Sequence, residues 1–455
     1  MLEKIMKKLK ISQNKMNVMR LSGGTLIGQL ISVVTIPFAT RMFGAKVIGD
    51  WGVLQATATM ANAISSLGLL NAVVVKDTDK ESEDVITAVG SLGVAFGILT
   101  GLFYMIAHSS MKVIRVNTNP IFAAIFLFVA VFTLQQVQLC YNYLNKNKEY
   151  KILMWNPMLT NGLFGILSVI FGLLGFKQYG YHVAWIIGQV VALIHMRRFM
   201  PRFKVNFSFK FLKGVIKDND EFVKYQFPAL AVATVKNQIP TYLIKGLFGV
   251  DMVGYYTMTV KILKLPITFL ASAIGRVFFQ TLAELKDNKE KLKNYAYRNI
   301  NKLLKYSAIP MFCLLICGDV IVTIFLGKSW EIAGVMIRIL ALENMFLFLY
   351  QMSYGLPIVI NKQKITLYIN VAQLAIYCIS FILGKVLFND IYAALYILTI
   401  GFIISNVIYF AYMFSCMGIS AWHYVRKVTT VFVVMVALAE VCRFVLKLIG
   451  IVSTM

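Results

Sequence analysis

The chain reads as an all-α polytopic membrane protein: two six-helix bundles, related by a pseudo-two-fold along the membrane normal, plus one extra C-terminal hydrophobic span. Three observations predict this. Of its 455 residues, 59% are apolar and 14% charged, a balance outside that of a soluble domain. Apolar stretches of roughly 20 residues, enough for a helix to cross about 30 Å of hydrocarbon, recur from end to end. An eight-residue motif also returns at mid-chain, MFGAKVIG at 42–49 and LFGVDMVG at 247–254.

Residues 1–17 form a basic cytoplasmic N-terminal segment. Leu2, Ile5, Met6 and Leu9 recur at helical spacing among Lys4, Lys7, Lys8 and Lys10, which suits either a helix lying on the membrane surface or a solvated tail. The apolar run that follows is too long for the core of a cleavable signal. The N-lobe, 18–200, is read as six spans near 18–43, 47–75, 85–107, 119–144, 152–175 and 181–200. Residues 201–221 are an amphipathic cytoplasmic linker, with Phe211, Leu212, Val215 and Ile216 as an apolar stripe beside Lys210, Lys213 and Lys217. That stripe is expected to lie in the membrane interface. The C-lobe, 222–415, repeats the pattern near 222–249, 252–280, 302–327, 331–359, 364–387 and 391–415. Residues 416–455 carry the extra span, near 429–450.

The formal charge is +25, from 45 Lys and Arg against 20 Asp and Glu. The basic residues gather in alternate loops, notably 1–17, 201–221 and 281–301, while the loops between them are poor in Lys and Arg. This positive-inside pattern puts the N-terminus in the cytoplasm and explains the excess charge by orientation and by contact with anionic membrane lipids. It leaves no nucleic-acid partner to invoke. The six cysteines lie in or beside spans and form no metal-type pair; Cys313 and Cys317, one helical turn apart, read as apolar packing.

In the repeated motif, Phe43, Gly44 and Gly49 return as Phe248, Gly249 and Gly254. Each copy closes one long span with a tight turn and opens the next. Six helices bring the chain back to the side it started from, so the two halves share one orientation. Such a pair can rock to expose a central cavity to either side without exposing backbone to lipid; no filter-like loop points to a channel.

Charged side chains at mid-bilayer cost about 2.5–3.5 kcal/mol even on a lenient scale, so they mark aqueous cavities or partners. Lys236 lies about 18 Å from the outer end of span seven, and Lys261 and Lys264 about 12 and 16 Å down span eight, at 1.5 Å per residue. Two readings compete: a cationic cavity that receives a phosphate-bearing head group, or internal pairing with snorkelling. Arg338 either joins this cavity or reaches outward. Glu343, at similar depth in span ten, is a candidate coupling acid. Gln29, Gln135 and Asn156 offer amide groups to a sugar, or to neighbouring helices. His182 and His195 flank span six without a partner constellation, and no Gly-rich phosphate loop is present. The sequence therefore predicts no catalytic residue, no metal site and no cofactor.

The runs RLSGGTLIGQLISVVTIPFATRMFGAKVIGDWGVLQ from Arg20, FPALAVATVKNQIPTYLIKGLFGVDMVGYYTMTVKILKLPITFLASAIGRVFFQTLAEL from Phe227 and FLGKSWEIAGVMIRILAL from Phe325 resemble the bacterial polysaccharide repeat-unit flippases, O-antigen flippases included. That family belongs to the multidrug, oligosaccharidyl-lipid and polysaccharide exporter superfamily. The resemblance covers nearly the whole chain and rests on small, apolar and turn residues. It implies a V of two six-helix bundles around a cationic cavity in the bacterial cytoplasmic membrane. It further implies an undecaprenyl-pyrophosphate-linked glycan as cargo, with other polysaccharide assembly proteins as further partners. A thirteenth span departs from the common twelve-helix form. Two rivals remain: an ion-coupled drug exporter of the same superfamily, whose site should be rich in carboxylates, and a membrane glycosyltransferase or polymerase, which needs a sizeable external loop with catalytic groups.

Overall fold

The computed structural model describes residues 13–76, 78–202 and 204–449, and every regular element among them is helical. The surface helix expected within residues 1–17 falls largely outside the described residues. The chain divides into two compact units, Met1–Tyr242 and Leu243–Met455.

In the first unit, the helical run Gln13–Ser65 breaks at Gly44, whose φ of 69° and ψ of 173° are non-helical. This gives α1 (13–43) and α2 (45–65). The second expected span, 47–75, is shorter than its apolar run, because positive φ at Leu67 and Gly68 turns the chain away after Ser65. Next come α3 (Asp79–Ala107) and α4 (Pro120–Lys146), each begun by a side-chain cap. Thr78 accepts from the Glu81 N–H, and Asn119 accepts from the N–H groups of Ile121 and Phe122, answering donors that a helix start leaves unpaired. Then come α5 (Tyr150–Leu173) and α6 (Gly180–Arg197), the linker helix α7 (Phe209–Lys217) and α8 (Phe227–Phe248).

Small residues let backbones touch where α1 crosses α5. A methyl group at Gly24 would lie 2.0 Å from the Met154 carbonyl oxygen, and one at Gly28 would lie 2.3 Å from that of Pro157. Near the Gly44 turn, Phe43, Trp51, Phe164, Tyr181 and Trp185 form an aromatic cluster with ring centroids 5.0–6.2 Å apart, Trp51 stacked on Phe164 and the other pairs edge-on or tilted, arrangements such rings prefer.

The second unit takes up the end of α8 and continues with α9 (Val250–Pro266), a wide π-helical turn at Ile267–Ala271, and α10 (Ser272–Glu284). Next are α11 (Lys289–Leu326), α12 (Glu331–Met352), α13 (Lys364–Leu383), α14 (Ile391–Cys416) and α15 (Ala421–Leu448). Wide turns also sit at Met158–Leu163 and Ile267–Ala271 directly after Pro157 and Pro266, where proline has removed a ladder donor. Gly249, between α8 and α9, has φ 96° and ψ 174°, nearly the geometry of Gly44. Both lie in a region of backbone space open essentially to glycine alone, so the repeated motif is also a repeated conformation.

Residues 289–301, expected as a cytoplasmic loop, are helical. Leu292, Ala296 and Ile300 fall every fourth residue and are buried, so a packed stripe runs through the basic stretch. Eight helices among the described residues are long and apolar enough to cross a membrane; the first of these, Arg20–Ser65, contains the Gly44 break. The protein is a polytopic, all-α membrane protein.

Helix α15 is not among these eight, yet it packs along α11 for much of its length. At its start the His423 ring lies 6.0 Å from that of Tyr297, and Lys293 donates to the Gly418 carbonyl at 2.8 Å. Twenty residues later Arg443 meets Asp319, 22 residues beyond Tyr297 on α11. At 1.5 Å per residue the two helices run side by side for about 30 Å, the thickness of the hydrocarbon core.

Candidate functional site

Lys236 stands on α8, 12 residues before its end at Phe248, and Lys261 and Lys264 stand 11 and 14 residues into α9. At 1.5 Å per residue these are about 18, 17 and 21 Å from the Gly249 turn along their own helices. Lys236 belongs to the first unit; Lys261 and Lys264 belong to the second. Lys264 is exposed, while Lys236 and Lys261 are half-buried. All three also engage neighbouring protein groups. Lys264 precedes Pro266 and the wide turn, so both α9 lysines project from helix that is about to change pitch.

Glu343 sits 12 residues into α12. One of its carboxylate oxygens is buried without a hydrogen-bond partner, and the phenols of Tyr256 on α9 and Tyr377 on α13 stand close to it. A buried carboxyl group near two phenols is chemically able to take up and release a proton or to bind a small cation.

Arg338 is held by protein. Its Nε donates to the Leu315 carbonyl at 3.1 Å, and its guanidinium pairs with Glu440 at 3.6 Å. Beside it, Arg443 grips both oxygens of Asp319 at 3.0 and 2.5 Å and also donates to the Ile316 carbonyl at 3.0 Å. Two acids and two arginines thus join α11, α12 and α15, a fork-to-fork geometry that suits Arg. Sequence reasoning missed this network because its pairs lie over 100 residues apart in the chain.

Among the amides, Gln135 is fully buried and donates to Ser65 Oγ at 3.1 Å. With Asn62 donating to Gln138 at 3.2 Å and Asn142 to the Leu70 carbonyl at 2.8 Å, it forms a polar seam between α4 and the end of α2. Gln29 and Asn156 flank the glycine crossing of α1 and α5, and each has a buried side-chain oxygen with no hydrogen-bond partner. The Gln135 oxygen is likewise buried without a partner, so all three amides proposed as sugar contacts keep acceptor capacity. His182 is fully buried, edge-on to Phe122 and Phe126. Among the described residues searched, no group of three or more His, Cys, Asp or Glu could hold a metal ion.

The class defined by these elements is a polytopic, all-helical membrane protein with lysines and a carboxylate part-way along its helices. Residues 38–334 match the model of a family described as polysaccharide biosynthesis protein, and the chain belongs to that family. A Shigella flexneri protein described as an O-antigen transporter is 22% identical over 376 residues, covering 78% of this chain and 87% of that one. The succinoglycan biosynthesis transport protein ExoT of Rhizobium meliloti is 21% identical, covering 69% and 63%. In fold, the chain is similar to the lipid II flippase MurJ in an inward closed conformation, with TM-score 0.69 at 13% identity over 94% of this chain and 98% of that one. It is also similar to an inward-facing multidrug resistance MATE family transporter of the MOP superfamily, with TM-score 0.58 at 13% identity over 89% and 99%. The named relatives are described as transport proteins, and the structural neighbours as a flippase and a multidrug transporter.

Proposed function

We propose that the protein moves undecaprenyl-pyrophosphate-linked oligosaccharide repeat units from the cytoplasmic to the outer leaflet of the bacterial cytoplasmic membrane. Its N-terminus is cytoplasmic, and the two six-helix bundles alternate access to the two sides. The observation that carries this reading is the three lysines set 11–14 residues along α8 and α9 from their shared turn. An anionic pyrophosphate head is a cargo suited to ammonium groups set within helices, and relatives carry the names of O-antigen and succinoglycan transport proteins. The prenyl chain stays in lipid throughout while the lysines take the place of water around the head group.

Direction comes from the interior-negative potential, which favours outward movement of uncompensated negative charge by about 2.3 kcal/mol per charge per 100 mV. Exchange of a proton or cation at Glu343 is the second coupling scheme, favoured by its partnerless buried oxygen beside two phenols.

Replacing Lys236, Lys261 or Lys264 with Gln removes a charge-assisted contact of about 1.5–3 kcal/mol, so transport should fall roughly 10- to 100-fold at normal protein level. Cells lacking the protein should accumulate full-length lipid-linked repeat units on the cytoplasmic face. Full complementation by all three variants overturns the site, and accumulation of truncated sugars overturns the transport step in favour of glycan synthesis.

A further inference from the structure

The linker helix was expected to lay its apolar stripe in the membrane interface; in the structure that stripe is turned onto protein. Val215 is 7% exposed and packs on Val85, Ile86 and Val89 of α3 and Leu139 of α4, with Phe211, Leu212 and Ile216 beside it. At 100° per residue, Lys210, Lys213 and Lys217 project from the opposite side of α7 within about 60° of one another, and all three are exposed.

The strand of chain leading into α7 is fixed as well. The Asn206 N–H donates to Ser91 Oγ on α3 at 2.8 Å, and Lys204 stands 4.0 Å from Glu83. This pins 204–206 along the first half of α3, beside and beyond its acidic start at Asp79–Asp84. Val205, Phe207 and Phe209 nevertheless remain 47%, 58% and 78% exposed.

We infer that this edge is a docking site for anionic phospholipid. Val205, Phe207 and Phe209 enter the acyl boundary while Lys210, Lys213 and Lys217 hold head-group phosphates beside it. Aromatic side chains next to lysines are the composition by which interfacial segments bind such lipid, and the lysines cannot be neutralised by α7 itself, which carries no acid. Assignment to the cytoplasmic leaflet rests on the orientation proposed above; the lipid site itself does not.

The test uses the full-length protein in nanodiscs of phosphatidylcholine with or without phosphatidylglycerol. Retained lipid is read by native mass spectrometry, and heat stability is read in parallel. Wild type should retain phosphatidylglycerol in preference to phosphatidylcholine and gain stability from it. K210Q/K213Q/K217Q should bind phosphatidylglycerol on the order of 100-fold more weakly, at about one kcal/mol per lysine near an anionic surface, and should lose the salt sensitivity of that binding. F207S/F209S should weaken both lipids alike. Equal retention of the two lipids by wild type, or unchanged phosphatidylglycerol retention by the triple lysine variant, overturns the site. So does preferential capture of a soluble acidic protein with no response to phosphatidylglycerol. Because the glycan readouts above do not depend on these lysines, failure here leaves the transport reading standing on its own test.

Discussion

Replacing Arg443 with methionine should destabilise the second unit by about 3–5 kcal/mol, the usual cost of stripping one partner from a buried ion pair. Arg443 is 7% exposed and Asp319 side-chain exposure is 13%, so the carboxylate left behind cannot turn to water. Arg338 is already committed to the Leu315 carbonyl and to Glu440, so replacing the lost guanidinium means giving up those contacts. For a unit of this size each kcal/mol is worth roughly 2–4 °C, so the midpoint should drop by roughly 6–20 °C. The assay is the monodisperse fraction of a detergent-solubilised fluorescent fusion after heating at one fixed rate, since membrane proteins commonly unfold irreversibly. The double variant D319L/R443M removes both charges and should recover most of the loss, because apolar replacement of a whole buried pair is often neutral or better. An R443M midpoint equal to wild type, or a double variant as unstable as the two single losses summed, would show that the pair does not fasten α15 to the bundle.

Four further outcomes are expected. Gly249→Ala forces a side chain into φ 96° and ψ 174° and should cost about 1–3 kcal/mol, read as a lower midpoint. Gly23→Ala, on a helix with open space around it, should be neutral or up to about 1 kcal/mol stabilising; equal behaviour of the two would refute the backbone argument. Glu343→Gln should abolish any dependence of transport on external pH if the acid couples transport, whereas unchanged transport that still follows an imposed potential assigns the drive to voltage alone. Reporter fusions at residue 205 and in the turn at 285–288 should read cytoplasmic, and an external readout at either reverses the orientation.

Most of the fold was legible because lipid leaves the backbone few options: a long apolar run has to be helical. Boundaries were legible where a turn needed a particular residue, as at Gly44 and Gly249, and failed where tertiary packing decided. The helix over 289–301 was hidden by its charges, although Leu292, Ala296 and Ile300 carried the periodicity that could have revealed it. The linker stripe showed that α7 is amphipathic but not which surface would cover it; Val85, Ile86 and Val89 compete with lipid for Val215 and prevail. Counting along a helix gave the distance of the lysines and Glu343 from the nearest turn, since rise per residue is fixed. It could not foresee the fate of Arg338, whose partners Leu315 and Glu440 are set by how α11, α12 and α15 pack.

The contact at Gly24 and Gly28 carries a mechanical consequence. Where two helices meet main chain to main chain, no side chain lies between them to act as a bearing, and sliding by even a fraction of a turn would drive carbonyl oxygens into Cα atoms. The first and fifth spans must therefore travel as one stiff slab. Whatever displacement the transport cycle needs has to be supplied at joints that retain play, such as the widened turns that follow Pro157 and Pro266.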